Sequence, residues 1–245
     1  MVIGFIGSGN MAAAMARGWA DEFEAMLFSD SGSGRARALA EELGGEALSN
    51  SEIAARADLL ILAVKPAKLD EVAPELRAAR RVVSILAAVP LERVAAAFPG
   101  AEALRAMPNV GVEVRSGVLC VAGEASEATR GALATLGHVV ELPDGDFDQA
   151  TAVMGCAPAY LALAIEAIAD AGADAGLDPE LARELVVETA AGTAELLRRR
   201  HPADVREAVA SPGGSTEAGL EALEREGARA AFTAAVEASL QRMRG

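Results

Sequence analysis

The first twenty residues constrain this chain more than any other stretch. Residues 2–6, Val-Ile-Gly-Phe-Ile, read as a buried strand, run straight into Gly7-Ser-Gly-Asn10, and give way at once to a small-residue helix over 10–20. A strand, a very short turn and a helix in that order fold the helix back across the strand and begin an α/β unit. Within it, Gly7-x-Gly9-x-x-Ala12 has the spacing that such a turn needs. Gly7 permits the tight turn, Gly9 lets a ligand approach the backbone, and Ala12 lets helix and strand close on each other. The helix N-terminus adds unpaired N–H groups and a positive dipole end. Together these point to the pyrophosphate of a dinucleotide.

The rest of the chain falls into two styles. Up to about residue 147, apolar strand-like runs alternate with helical patterns. Strands are expected at 2–6, 25–29, 58–64, 81–86, 103–106, 118–122 and 138–141. Helices are expected at 10–20, 34–43, 51–57, 69–79 and 127–136. Asp58-Leu-Leu-Ile-Leu-Ala-Val64 is almost continuously apolar, the mark of a strand buried on both faces of a parallel sheet. From Phe147 onward no strand is visible. Ala/Leu/Glu-rich helices are expected at 148–175, 179–200, 204–210, 215–226 and 228–244, punctuated by Gly176-Leu-Asp-Pro179, His201-Pro202 and Ser211-Pro-Gly-Gly214. The fold class is α/β: an N-terminal Rossmann-type, mostly parallel sheet over 1–147, then an all-helical domain over 148–245. The helix around 157–171 is apolar on more than one face, which predicts a subunit interface.

Composition narrows the partners. With 52% of 245 residues apolar, a sizeable core can form. The net charge of −14 argues against nucleic acid or an anionic membrane surface as partner. Cys120 and Cys156, the two cysteines, read as packed thiols of a reducing cytoplasm rather than a disulfide. Two histidines and no Cys/His cluster predict no metal site. The N-terminus lacks the basic segment of a secretory leader, and no stretch is read as long and polar-free enough to span a bilayer. The expectation is a cytoplasmic protein. Of the 22 basic residues only Lys65 and Lys68 are lysines, so a lysine kept at Lys65 suggests a defined contact, whereas Lys68 reads as surface.

The end of the second strand, Phe28-Ser-Asp-Ser-Gly-Ser-Gly-Arg35, gives two signals. Asp30 lies near the spacing at which an acid binds both ribose hydroxyls of NAD. Ser29, Ser31, Ser33 and Arg35 suit the 2′-phosphate of NADP instead. A third reading makes Asp30 the cap of its own turn.

With these stretches in view, the chain resembles the pyrroline-5-carboxylate reductases over nearly its whole length. The resemblance rests on Gly4-Phe-Ile-Gly-Ser-Gly-Asn-Met11, Ala63-Val-Lys-Pro66, Arg105-Ala-Met-Pro-Asn109 and Ser211-Pro-Gly-Gly-Ser-Thr216, with Gly155-Cys-Ala-Pro-Ala-Tyr160 as an altered fifth. It implies hydride transfer from NADPH, or alternatively NADH, to the C=N carbon of pyrroline-5-carboxylate, the last step of proline synthesis. It also implies a helical domain that forms a homodimer, from which a higher oligomer can assemble. Carried over by position, Gly7, Ser8, Gly9, Asn10 and Met11 would line the pyrophosphate, and Asn50 would lie near the adenosine. Ala63, Val64, Lys65 and Pro66 would pass beneath the cofactor's middle, and Met107, Pro108 and Asn109 would border the nicotinamide. The late glycine turn opens a helix, so its N–H groups converge on one point, an anion site. Gly213, Gly214, Ser215 and Thr216 are expected to grip the substrate carboxylate, with Thr216 also reaching the ring nitrogen. Capping of that helix by Ser215 or Thr216 is the plainer alternative.

The chain departs from the family in three loops. Val110-Gly-Val112 stands where the family has Thr-Pro-Ala. Cys156-Ala157 replaces a hydroxyl-bearing pair. Ser84-Ile-Leu-Ala-Ala-Val89 replaces Ser-Ile-Ala-Ala-Gly-Val. These losses leave open a related imine or hydroxyacid reductase with another small carboxylate substrate, or a dinucleotide-binding regulator impaired in catalysis. The hydroxyacid chemistry requires a positioned lysine or acid for the carbonyl proton, and the helical half contains no lysine.

Overall fold

The computed structural model describes residues 1–244. Its first unit, Met1–Cys156, is built on β1 (Val2–Ile6), α1 (Asn10–Gly18), β2 (Ala25–Ser29), α2 (Arg35–Leu43), β3 (Glu46–Ala47), α3 (Asn50–Arg56) and β4 (Leu59–Leu62). It continues through α4 (Leu69–Val72), β5 (Arg81–Ser84), α5 (Leu91–Ala97), β6 (Glu102–Pro108), β7 (Gly117–Ala122), α6 (Glu127–Ala134), β8 (Gly137–Glu141) and α7 (Phe147–Ala150). The eight strands form one sheet in the order β3-β2-β1-β4-β5-β6-β7-β8, and every pairing is parallel except β6 with β7. The order reverses direction at β1, so the first glycine turn stands at the switch point where open α/β sheets bind ligands.

Each face of the sheet buries its own core. One holds Phe5, Met15, Trp19, Phe28, Leu59 and Ile61. There Phe5 stacks on Phe28 at 5.3 Å, and Trp19, fully buried, donates its indole N–H to the Ala132 carbonyl at 3.0 Å. The other holds Ile6, Leu27, Ile53, Leu60, Leu62, Leu69 and Val94. All four residues of β4 are at most 1% exposed, as the apolar run 58–64 predicts. α3 begins with a capping box, in which Ser49 accepts from the Glu52 amide and the Glu52 carboxylate accepts from the Ser49 amide.

The expected helix over 69–79 is shorter than read: α4 spans four residues between 3-10 turns at Pro66–Lys68 and Ala73–Leu76. Pro74, inside the expected span, lacks the N–H that a regular helix would need for the Asp70 carbonyl four residues earlier. Two elements had no counterpart in the reading, the two-residue edge strand β3 and the helix α5.

The expected single helix over 148–175 is also interrupted. α7 passes into a wide π-type turn at Thr151–Gly155 before α8 (Ala157–Asp174) starts. The cause is Pro158. It has no N–H for the Met154 carbonyl four residues earlier, and the side-chain amide of Asn109 donates to that carbonyl instead, at 3.1 Å.

The second unit runs from Ala157 onward and is wholly helical: α8, α9 (Pro179–Leu197), α10 (Pro202–Val209), α11 (Ser215–Arg225) and α12 (Ala228–Arg244). Asp178 caps α9 by accepting the Glu180 and Leu181 amides at 3.1 Å. His201 Nδ1 accepts the Ala203 amide at 3.2 Å and caps α10, with Pro202 in the first helical position. Tyr160 on α8 reaches α12, its hydroxyl 2.5 Å from Ser239 Oγ. Leu161, Leu163 and Ile168 on α8 and Leu181 and Leu185 on α9 are all at least 44% exposed. The helical run Asp144–Asp174, 31 residues with a mean hydropathy of 1.7 over its most apolar window, is long and apolar enough to cross a membrane. This corrects the reading that no stretch reaches that length and apolarity; length and composition are equally those of a helix that a partner covers.

Candidate active site

The first glycine turn is built for a ligand. Gly7 has φ +98°, and a Cβ there would lie 2.7 Å from the Ala63 carbonyl oxygen, so the position accepts only glycine. Its amide donates to the Ser29 carbonyl at 3.1 Å, and the buried Ser8 hydroxyl donates to the same oxygen at 2.9 Å. These bonds pin the turn to the end of β2. Ser8 therefore turns its side chain into the protein, leaving its neighbours' backbone to face outward. A Cβ on Gly9, by contrast, would meet nothing within 4 Å. α1 starts at Asn10 with no side-chain cap, so its first amides have no partner of their own. Open space over Gly9 and uncapped amides behind it fit a phosphate group. Ser8, Gly9 and Asn10 border a cavity of about 340 Å³ whose other walls include Arg17, Arg35, Val110 and Glu113. Val110 belongs to the altered loop already noted, but Glu113 escaped the sequence reading, because a 3-10 turn at Val110–Val114 carries it there from about a hundred residues away.

At the end of β2, Asp30 is committed to its own loop. Oδ1 accepts the Gly32 amide at 2.7 Å, and Oδ2 accepts the Ser33 hydroxyl at 2.8 Å and the Ala36 amide at 2.9 Å. The Ala36 amide above all, joined by the Ser33 hydroxyl and the Gly32 amide, outweighs the opposing effect of burial and holds the Asp30 carboxyl below its usual range. Because the folded value is lowered, its stabilising contribution is present above the unfolded pKa of about 3.9 and is lost as pH falls through the folded value. Of the three readings of Asp30, the turn cap is the one these bonds describe. Ser31 and Arg35 remain exposed beside it. Arg37, unremarked in the sequence, lines a neighbouring cavity of about 680 Å³ together with Asp30, Gly32, Gly34 and Ser49. Asn50 opens α3, accepting from the Ser29 hydroxyl at 2.7 Å and donating to Glu75 at 2.9 Å.

Ala63 and Val64 leave β4 beside Gly7, with Ala63 donating to the Ile6 carbonyl at 2.9 Å. Lys65 is exposed and precedes the turn begun by Pro66, while Lys68 pairs with Glu71 at 2.5 Å. Thus Gly7–Met11, Asp30–Arg35, Asn50 and Ala63–Pro66 cluster at the carboxyl ends of β2, β1 and β4.

Met107, Pro108 and Asn109 close β6, two strands beyond β4. Met107 packs against the buried cluster of Cys120, Ala122 and Phe147, as Met154 does; burial pushes the Cys120 thiol up, away from reactivity. The Asn109 side chain is bonded through both its oxygen and its nitrogen. Its Oδ1 accepts the Val118 amide at 3.1 Å, and its amide group serves Met154 as described above.

Between β5 and α5 the altered loop shows its physical cost. Ala88 has φ +58°, the left-handed conformation for which the family's glycine at this position is suited. Ala88→Gly is expected to raise stability by about 0.5–1 kcal/mol, the steric penalty relieved less the greater freedom of glycine in the unfolded chain. Thermal unfolding should show a midpoint about 2 °C higher; a lower one would mean that the loop bears no strain.

In the second unit, Gly213 has φ +70° and its amide donates to Glu217 Oε2 at 2.6 Å. The Gly214 amide donates to the Ser211 carbonyl at 2.9 Å. Neither Ser215 nor Thr216 caps α11, whose preceding residue, Gly214, makes no side-chain cap. The free donors at this turn are thus the amides and hydroxyls of Ser215 and Thr216.

Residues 144–245 match the family described as pyrroline-5-carboxylate reductase dimerisation, and residues 2–88 match that described as NADP oxidoreductase, coenzyme F420-dependent. The pyrroline-5-carboxylate reductase of Thermus thermophilus is 38% identical over 255 residues, 99% of this chain and 97% of its own. That of Synechocystis sp. is 38% identical over 204 residues, 79% of this chain and 76% of its own. The 1-pyrroline-5-carboxylate reductase of Streptococcus pyogenes superposes with a TM-score of 0.86 at 31% identity, covering 99% of this chain and 98% of that one. Plasmodium falciparum pyrroline carboxylate reductase, solved with NADP bound, gives 0.86 at 25% identity, covering 99% and 97%. A doubly wound sheet with an open glycine turn at its switch point, followed by an all-helical unit, places the molecule among the Rossmann-type oxidoreductases. End-to-end similarity narrows this further. The chain belongs to the pyrroline-5-carboxylate reductase family.

Proposed function

We propose that this chain reduces pyrroline-5-carboxylate to proline with a nicotinamide dinucleotide, as a homodimer formed through its helical unit. The observation that carries the substrate is the Ser211–Thr216 turn, intact and opening an uncapped helix, in a chain that aligns over 99% of its length with a reductase of that name. When bound, the reduced nicotinamide supplies the hydride. A protonated cyclic imine already carries positive charge on nitrogen, so the protein's task is alignment. The Gly9 turn and the α1 amides hold the pyrophosphate, and Ala63–Pro66 support the cofactor's middle. Met107 and Pro108 border the nicotinamide, while Asn109 fixes the loop beside it. Ser215 and Thr216 grip the substrate carboxylate. Gly213 and Gly214 give that turn its shape, since their amides already have acceptors. Thr216 also reaches the ring nitrogen.

NADPH is favoured over NADH. The Asp30 carboxylate, which would bind a ribose diol, is already taken by three donors, and Ser31 and Arg35 stand exposed where a 2′-phosphate would lie. The exposed apolar helices α8 and α9 are the homodimer surface, with no role for a membrane or nucleic acid.

Mixing the protein with pyrroline-5-carboxylate and NADPH or NADH, and following the absorbance of the reduced cofactor, tests the reading. Turnover that is faster with NADPH is expected; binding of cofactor without turnover on the imine would overturn it. Thr216→Ala should weaken substrate binding by about tenfold, the scale of one hydrogen bond to a charged group, and unchanged kinetics would remove Thr216 from the site.

A further inference from the structure

Arg105 is the one charged residue of the Arg105–Asn109 stretch, and the proposed reaction leaves it without a role. It lies in the middle of β6, with its side chain 5% exposed. Burial of a guanidinium is costly unless it is paired, and this one is only partly satisfied. Its Nη1 donates to Asp144 Oδ1 at 2.9 Å, its plane lies 4.2 Å over the Phe147 ring, and its Nε is buried with no partner. Asp144 has a second duty, since its Oδ2 accepts the Leu91 amide at 3.2 Å. Arg105 thereby joins three elements: β6 itself, the turn that leads into α7, and the N-terminus of α5.

Four residues along, Asn109 grips the far end of the same segment through the Met154 carbonyl. The second anchor falls within the π-type turn at Thr151–Gly155, a local widening of the helix. Met107, midway between Arg105 and Asn109 in sequence, packs, as Met154 does, against the buried cluster of Cys120, Ala122 and Phe147.

We infer that Arg105 is a positioning residue for hydride transfer. It clamps the 144–155 segment beneath the end of β6, and so holds Met107 and Asn109 where the nicotinamide is to lie. The inference rests on the reductase reading for its kinetic consequence. Its structural consequence is independent of any substrate.

The test compares wild type with Arg105→Met, which keeps the bulk and removes the charge, and with Asp144→Asn, a milder change at a carboxylate that is 32% exposed. Both variants should bind NADPH within about threefold of wild type, because the pyrophosphate turn is untouched. Their kcat at saturating pyrroline-5-carboxylate should fall by about tenfold or more, the scale of a small misplacement of reacting groups. Bound NADPH should show altered nicotinamide fluorescence, and amides over 147–155 should exchange hydrogen faster. A folded variant with kcat within twofold of wild type and unchanged exchange overturns the inference. So does a parallel loss of NADPH binding and kcat, which marks a merely structural residue. Should Arg105→Met not fold, Asp144→Asn decides alone. If wild type itself does not reduce the imine, the reductase reading falls, and the exchange and fluorescence of the variants still decide the role of Arg105.

Discussion

Gly9→Val is expected to abolish cofactor binding while leaving the protein folded. The backbone at Gly9 has φ −78°, which any residue adopts, and the space above its Cα is open. Stability should therefore change by no more than about 0.5 kcal/mol, as for other exposed positions. A branched side chain there would fill the space needed for a pyrophosphate to reach the α1 amides. Losing two hydrogen bonds to a charged group, each worth about 1.5–3 kcal/mol, weakens binding at least about a hundredfold. Titration of NADPH fluorescence, with thermal unfolding as the control for folding, reads both halves. Near-normal affinity would mean that the pyrophosphate lies elsewhere. The contrast with Gly7, two residues earlier, is instructive: there any side chain strikes the Ala63 carbonyl, so the position is essential to the fold itself.

The second large effect concerns assembly. Replacing Leu161 and Ile168 together by Arg should convert a homodimer into monomers. The two side chains are 61% and 60% exposed in the single chain and lie two turns apart on one face of α8. Folding of the single chain loses little by the exchange. In the dimer, each apolar side chain removed from water contributes about 1.5–3 kcal/mol, and two-fold symmetry counts every substitution twice. The dissociation constant should rise by at least about a thousandfold, before adding the cost of burying arginine. Sedimentation at micromolar protein reads the result. A dimer of unchanged affinity would place the interface on another surface.

Much of the nucleotide-binding half was legible because its signals are local. The strand limits of β1 and β2 follow from apolar runs ended by glycine or polar residues, and β4 announces itself by four consecutive buried aliphatic residues. α2 ends where Gly44 takes a left-handed conformation. What escaped depends on partners far apart in sequence. The break before α8 comes from Pro158, but that Asn109 takes up the Met154 carbonyl it leaves is visible only in the fold. An alanine gives no sign that it is held at positive φ, so the strain at Ala88 was hidden. Asp30 was recognised as a ribose ligand or a turn cap, but the choice rests on donors at Gly32, Ser33 and Ala36 whose directions a sequence does not carry. Likewise, nothing in Gly213-Gly214 reveals that Glu217 and Ser211 already occupy their amides.

The bond from Asn109 to the Met154 carbonyl ties the chemistry of two distant positions together. An N–H restored at residue 158 would take over the donor half of the Asn109 carboxamide, leaving its oxygen to the Val118 amide, whereas an apolar residue at 109 would strand both that amide and a carbonyl that no neighbour along its own helix can serve. Substitutions at 109 and 158 are therefore not independent, and their effects on folding should be non-additive in a way that neither single change reveals.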